Sequence, residues 1–189
     1  DPSTADAAAL SLARAGDLAV IVVLFFRRGA LVSTAAHPLE SELPSDDLLA
    51  GFVLEHYGAG RPIPRDLVVP LDLPDREGLA RHLAERRGGP LRLARTSRGE
   101  RLSLIELAGR NAEHALAVAV EQRGHQRALL DGLAARLGLP RAPETIECYD
   151  VSNTGKTGIV ASRVTFRHGE PDRARYRHYK LRTLTGQED

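Results

Sequence analysis

The sequence predicts an α/β fold with a mixed sheet, and three observations lead to that prediction. Residues 18–26 form a continuous apolar run rich in β-branched side chains, which is typical of a buried strand. Residues 30–37 are predicted to form a second strand, which the turn Arg27-Arg28-Gly29 joins to the first as an antiparallel hairpin. Segments with helical spacing then alternate with short apolar segments, and this alternation favours helices packed on a sheet.

Local signals predict the elements that follow the hairpin. Ser45 is predicted to cap the first helix, and Gly88 to end the second. The third helix either continues past Gly124 to Leu137 or breaks at that glycine. In chain order, we expect helices at 45–58, 74–88 and 102–120, and short strands at 67–69 and 91–93.

A hairpin followed by alternating helices and strands is how a ribonuclease-H-like fold is arranged. The first catalytic carboxylate of such a fold lies on its first strand, which we assign to residues 18–26. No acidic residue interrupts that run. We therefore predict that residues 1–139 form a catalytically empty ribonuclease-H-like domain with a scaffold or interaction role.

A second, incomplete domain is predicted for residues 140–189. Pro140-Arg141-Ala142-Pro143 is a plausible linker, and strands are expected at 145–151, 159–167 and 176–183. Three consecutive strands with short turns form a meander. A meander of this size buries only one face and is marginally stable without a further covering element.

Composition restricts the class of protein. One cysteine, Cys148, excludes an internal disulfide framework and a multi-cysteine zinc site. The longest apolar run, residues 18–26, is too short to span a membrane, and the residues before it do not show the charged, apolar and small-residue pattern of a signal peptide. We expect a cytoplasmic protein. The chain contains no Met and opens on Asp1, so we also expect a fragment of something longer.

Charge is unevenly distributed along the chain. Residues 1–60 hold three Arg against eight Asp and Glu, a net charge of −5. Residues 163–182 hold seven Arg and Lys against two acidic residues, a net charge of +5. This asymmetry points to a polyanionic partner for the C-terminal segment, although a solvated strand face rich in arginine explains it equally well.

The residue with the greatest chemical interest is Asp150. It lies near the end of a predicted strand, just before the loop Thr154 to Gly158. A carboxylate beside apolar strand residues is costly to desolvate unless a metal ion, a basic side chain or backbone donors pair with it. The alternative is an aspartate that caps the following turn. Cys148 is expected on the same strand face as Asp150, packed as a small apolar side chain.

The stretch Glu147-Cys148-Tyr149-Asp150-Val151-Ser152-Asn153-Thr154, followed by residues 158–166, resembles the UvrC family, the excinuclease component of bacterial nucleotide excision repair. Residues 176–183 and 107–112 agree with the same pattern. The resemblance covers nearly the whole chain. It implies a ribonuclease-H-like endonuclease that incises DNA 5′ to a lesion, with Asp150 as the first metal-binding and catalytic carboxylate.

The resemblance also implies a cofactor and partners. The cofactor is a divalent metal, Mg²⁺ or Mn²⁺, because hydrolysis of a phosphodiester uses two such ions about 4 Å apart, held by hard oxygen ligands. The partners are damaged duplex DNA, UvrB and, through UvrB, UvrA. One carboxylate cannot hold two ions, so we expect the fragment alone to be inactive and the remaining catalytic residues to lie beyond Asp189.

Three residues are candidates for nucleic-acid contact: Asn153 and Lys156, in the loop beside Asp150, and Arg163, one of the arginines of residues 163–182. Alternation along the strands would send only some of these arginines to one face. Turn chemistry for Asn153 and simple solvation of Lys156 are the alternatives. Two other functions remain open for the chain as a whole. One is a non-catalytic DNA-binding module, and the other is an interaction domain without any nucleic-acid contact.

Overall fold

The structure is a computed structural model, which describes residues 6–96, 99–153 and 159–181. The chain divides into two compact units, residues 1–120 and 121–189. None of the helices in the described ranges is long and apolar enough to cross a membrane. The first unit contains, in order, β1 (Ala7–Ala15), β2 (Leu18–Arg27), β3 (Ala30–Glu40), α1 (Ser45–Gly58), β4 (Asp66–Val69), α2 (Arg76–Arg87), β5 (Arg92–Arg95) and the start of α3 (Glu100–Leu137).

The five strands of the first unit form one mixed sheet with the order β3-β2-β1-β4-β5. β1, β2 and β3 are antiparallel neighbours, whereas β4 pairs with β1 and β5 with β4 in the parallel sense. Residues 18–26 are apolar throughout because β2 is buried on both faces. The predicted mixed α/β class is confirmed.

β1 is the strand that the sequence pattern does not predict, although it lies at the centre of the sheet. Five of its nine residues are alanine, which is depleted in strands and favours helices. Burial between two helical layers overrides that preference. The assignment of residues 18–26 to the first strand of the fold is therefore wrong, because they form the second. β1 likewise contains no Asp or Glu.

Each face of the sheet has its own core. One face packs against α1 and α2 through buried residues that include Leu10, Ile21 and Leu67. The other packs against α3, where small side chains such as Ala108 and Ala112 allow a close approach. A Cβ placed on Gly109 would lie 3.7 Å from the Ser11 hydroxyl oxygen, so this turn of α3 runs directly over β1.

The helix ends differ in detail from the sequence prediction. Ser45 is the first residue of α1 and not its N-cap, which is Pro44, and no side chain caps that end. Pro44 has no side-chain oxygen that could accept a hydrogen bond from the first turn. The negative charges of Asp46 and Asp47 in that turn interact favourably with the helix dipole instead. α2 is capped by the Asp75 carboxylate, which accepts from the Gly78 amide at 3.2 Å. Gly88 ends α2 in the left-handed conformation, as predicted.

α3 is one continuous helix of 38 residues that passes through Gly124 without a break. Gly138 ends it with a φ of 64°. The first part of α3 belongs to the first compact unit and residues from 121 onward to the second. The division between the units lies within α3, and the predicted domain boundary lies after residue 139.

The second unit contains the rest of α3, then β6 (Thr145–Asn153), β7 (Ile159–Arg167), β8 (Glu170–Pro171), a short 3₁₀ helix (Arg173–Arg175) and β9 (Arg177–Leu181). β7 is central, with β6 on one side and both β8 and β9 on the other, all antiparallel. The predicted three-stranded meander is present. The β7–β8 turn uses His168 and Gly169, both with positive φ, as a two-residue hairpin turn requires.

The first unit contains a cluster of aromatic rings between β3 and α1. The rings of His37 on β3 and of Phe52, His56 and Tyr57 on α1 lie with centroids 5.0–5.4 Å apart. Burial, and then the positive charge of Arg61, lowers the pKa of both histidines, that of His56 to about 4. These two histidines therefore pack as neutral rings at neutral pH.

This cluster predicts a loss of stability in mild acid. The pKa of His56 lies below its unfolded value of about 6.5, so the unfolded chain binds more protons between pH 6.5 and 4 and stability falls as the pH decreases through that window. After allowance for solvent screening of a partly exposed ring, we expect the free energy of unfolding to fall by about 1 kcal/mol between pH 7.5 and pH 5.0. Urea unfolding at the two pH values measures it.

The matched variants are His56→Gln, which should remove most of this pH dependence, and His114→Gln, which should not. His114 is exposed on α3 and lies outside the cluster. If His56→Gln retained the full pH dependence, the cluster would not be its source.

Candidate functional site

Asp150 lies on β6 and its side chain is exposed. The expectation of a costly, desolvated carboxylate is therefore wrong, because this part of the strand is open to solvent. The one side-chain partner of Asp150 in the described residues is Ser152, whose hydroxyl donates to Oδ2 at 3.3 Å. The carboxylate thus keeps most of its acceptor capacity, which is what a metal ligand or a ligand-binding group requires.

The strand register aligns Asp150 with two polar residues. Asp150 on β6 is paired with Ser162 on β7, and Ser162 with His178 on β9. Residues directly opposite each other across a sheet share a face, so these three side chains form one polar row. With strands about 4.8 Å apart, the row is about 10 Å wide from Asp150 to His178. His178 is exposed at its far end.

The adjacent row on the same face adds a cation. Ser152 pairs with Val160, and Val160 with Lys180, which is exposed. The Asp150 face therefore carries an acid, two hydroxyls, an imidazole and an ammonium group within two rows. Ser162, His178 and Lys180 were not predicted as site residues. Their identity depends on the pairing register of three strands, which alternation within one strand does not reveal.

Arg163 lies on the opposite face of the sheet, because its partner across β6 is Tyr149. It forms an ion pair with Glu147 at 3.1 Å and donates to the Arg175 carbonyl at 3.2 Å. The Tyr149 hydroxyl donates to the same Glu147 carboxylate at 2.9 Å. A hydrogen bond with Tyr149, and then the Glu147 charge, raises the pKa of Arg163. The structure does not bring Arg163 together with Asp150.

The structure describes some of the other predicted site residues and not all of them. Asn153 is the last residue of β6 and pairs with Ile159. Lys156 and the loop 154–158 lie outside the described residues. Cys148 shares the face of Asp150 by alternation, but it is exposed. Its expected packing as a small apolar side chain is therefore wrong, since nothing in the described part of the second unit covers that stretch of β6 enough to bury it.

A divalent metal needs several oxygen ligands, so the donor set tests whether Mg²⁺ or Mn²⁺ fits here. Asp150 supplies one carboxylate. Glu147 faces the other way and is paired with Arg163. Among the described residues, no group of three His, Cys, Asp or Glu side chains is placed to hold a metal ion. The described residues alone therefore do not form a metal site.

Comparison with known proteins gives the family. The family model described as UvrC Ribonuclease H-like domain matches residues 6–119, well over half of the chain. The chain belongs to the UvrC family. A second model of that family, described as UvrC RNAse H endonuclease domain, matches residues 134–189, which include Asp150. The resemblance stated from the sequence is confirmed, and so is the ribonuclease-H-like fold.

Relatives in the UvrC family align over nearly the whole chain. The UvrABC system protein C of Geobacter metallireducens is 38% identical over 184 residues, 97% of this chain and 30% of that protein. Those of Trichlorobacter lovleyi and Anaeromyxobacter dehalogenans are 40% and 38% identical, over 97% and 95% of this chain. The chain spans about 30% or less of the length of each of these relatives.

Proposed function

We propose that this chain is the part of a UvrC-family protein that contributes Asp150 to a metal-dependent DNA endonuclease site. The observation that carries the proposal is the exposed Asp150, aligned with Ser162 and His178 within the segment that matches the endonuclease domain model. The whole protein would incise damaged DNA 5′ to the lesion, with UvrA and UvrB as partners. The direct test is the rate of incision by the full-length protein with residue 150 altered.

In this proposal Asp150 is one ligand of a divalent ion, Mg²⁺ or Mn²⁺, and the other ligands come from elsewhere in the whole protein. When bound, the ion would supply charge neutralisation and an activated water for phosphodiester hydrolysis. The chain's own residues have different tasks. Ser152 orients the Asp150 carboxylate, and Lys180 on the same face attracts the phosphate backbone. The chain by itself is then inactive.

The first unit takes a non-catalytic role in this proposal. Neither β1 nor β2, the two most buried of the long strands, carries an acidic residue. Among the described residues of the first unit, the one buried carboxylate is that of Asp66, which is paired with Arg101 at 3.0 Å and so serves the packing of α3. The net charge of −5 over residues 1–60 favours a protein contact there over a DNA contact.

A second candidate function is DNA binding without catalysis, and the exposed cations of the second unit favour it. Arg175 is paired with Asp172, and Arg177 donates to two backbone carbonyls. Lys180 and Arg173 are exposed and make no such contact with the described residues, so both are available to phosphates. Phosphate contacts of this kind weaken steeply with salt.

The two functions make different predictions for DNA affinity. With a binding module, the affinity of this chain for a short duplex at low salt survives Asp150→Ala and falls about threefold or more with Lys180→Gln, because one phosphate contact is lost. Fluorescence anisotropy at salt concentrations from about 50 to about 200 mM measures both. Glu144→Gln, an exposed charge change just before β6, is the control. Affinity that is absent at the lowest salt concentration would contradict this second function.

A further inference from the structure

The first unit contains a cavity of about 610 Å³ that neither the proposed endonuclease site nor the core explains. It lies where α1 and α2 end, and Tyr57, Arg61, Arg86 and Arg87 line it. Among the described residues, no Asp or Glu lines this cavity. Three guanidinium groups without a carboxylate form an anion-binding surface unless their donors are already used.

The charge balance of the cavity remains positive after the helices are included. The C-terminal ends of α1 and α2 each place a partial charge of about −0.5 nearby. Three arginines contribute +3, so the lining residues and the two helix ends together keep a charge of roughly +2. The surrounding sequence agrees, since residues 61–95 hold eight Arg against five Asp and Glu, a net charge of +3. This segment is electrostatically distinct from the acidic residues 1–60.

Most of the guanidinium donors in the cavity are free. Arg86 uses Nη2 to donate to the Gly58 carbonyl at 2.9 Å, and Arg87 uses Nη1 to donate to the Pro90 carbonyl at 3.1 Å. These bonds hold the two side chains against the helix ends. Arg61 is exposed and makes no ion pair or side-chain hydrogen bond within the described residues. Arg86 and Arg87, which are held by these bonds, and Arg61, whose donors are free in the described part of the chain, therefore line the same cavity.

The Tyr57 hydroxyl provides a second, independent indication of a ligand. Tyr57 is only 2% exposed and lines the cavity, yet its hydroxyl is buried with no hydrogen-bond partner in the described part of the chain. Buried polar groups normally have a partner. Burial raises the pKa of Tyr57, so the hydroxyl stays protonated and is available as a donor. An acceptor in the cavity would satisfy it.

We propose that this cavity binds a phosphate group, with Arg61, Arg86 and Arg87 as charged donors and the Tyr57 hydroxyl as a neutral one. Phosphate fits because it offers several acceptor oxygens and up to two negative charges, which match the guanidinium forks and the residual positive charge. A volume of about 610 Å³ accommodates more than the phosphate itself. The phosphate therefore belongs either to a nucleic-acid backbone or to a free phosphate compound of nucleotide size.

Inorganic phosphate is the first probe, titrated into the chain while the ring resonances of His56 are followed by NMR. His56 packs at 5.0 Å from Tyr57 and feels the charge of Arg61, so it reports locally on anion binding. We expect saturable shifts in wild type, an affinity about tenfold weaker in Arg61→Gln and about threefold weaker in Tyr57→Phe. Arg81→Gln, an exposed charge change on α2 outside the cavity, should match wild type.

A short single-stranded oligonucleotide and a nucleoside diphosphate then distinguish the two sources. If the oligonucleotide shifts His56 and Arg61→Gln abolishes that shift, the phosphate is that of a nucleic-acid backbone. If only the nucleoside diphosphate shifts the His56 resonances, and Arg61→Gln abolishes that shift, the phosphate is that of a free phosphate compound. Equal weakening by Arg61→Gln and Arg81→Gln, or a response of His56 to an acidic peptide but not to phosphate, would overturn the proposal.

Discussion

Replacing Asp150 with asparagine in the full-length protein is expected to slow incision of damaged DNA by at least about 100-fold. Asparagine keeps the shape of the side chain but removes the negative charge, and its amide oxygen is a weaker ligand for a hard divalent ion than a carboxylate. Asp150 is exposed, so the change leaves the fold intact. The measurement is 5′ incision of a duplex with a single lesion, in the presence of UvrA and UvrB.

Glu144→Gln is the matched control for this experiment. Glu144 is exposed, lies one residue before β6 and undergoes the same loss of charge. Its incision rate should stay within about twofold of wild type, because surface substitutions away from the site have small effects. DNA binding should be equal in both variants. An Asp150→Asn protein that incises at the rate of the Glu144→Gln control would remove Asp150 from the site.

Leu10→Ala is expected to lower the free energy of unfolding of the first unit by about 3 kcal/mol. Leu10 is fully buried at the centre of β1, among side chains of β2, β4, α1 and α2. The shorter side chain leaves a cavity that a strand held on both sides cannot close. Urea unfolding followed by circular dichroism measures the loss.

Leu31→Ala makes the same chemical change at an exposed position of β3, where the leucine is 48% exposed. We expect the free energy of unfolding to fall by about 0.5 kcal/mol or less in this variant. Equal losses for the two variants would mean that β1 is not the buried central strand of the sheet. The comparison matters because β1 is the element that the sequence pattern does not predict.

Local chemistry determines the elements that the sequence predicts correctly. The β-branched run from Leu18 to Phe26 and the segment from Ile159 to Arg167 form strands at the predicted positions. Gly88 ended its helix through a left-handed conformation. Each of these signals acts within a few residues of the chain, so a pattern in the sequence is enough to reveal it.

The sequence patterns do not reveal the features that burial or strand pairing determines. The alanine-rich β1 is a strand only because two helical layers cover it. The β6–β7 register places Arg163, a predicted nucleic-acid contact, on the face opposite Asp150, beside Glu147. The same register brings His178 into the row of Asp150. These features depend on contacts between distant parts of the chain, which a single sequence does not specify.

The most direct test of the account is a change of metal specificity at residue 150. In a Cys148→Ser background, which removes the exposed thiol on the same face, Asp150→Cys should be nearly inactive in full-length protein with Mg²⁺. A softer ion such as Cd²⁺ should then raise its incision rate at least about tenfold, because thiolate prefers soft metals. If Cd²⁺ gives no gain at position 150, or the same gain in Glu144→Cys, Asp150 does not bind the catalytic metal.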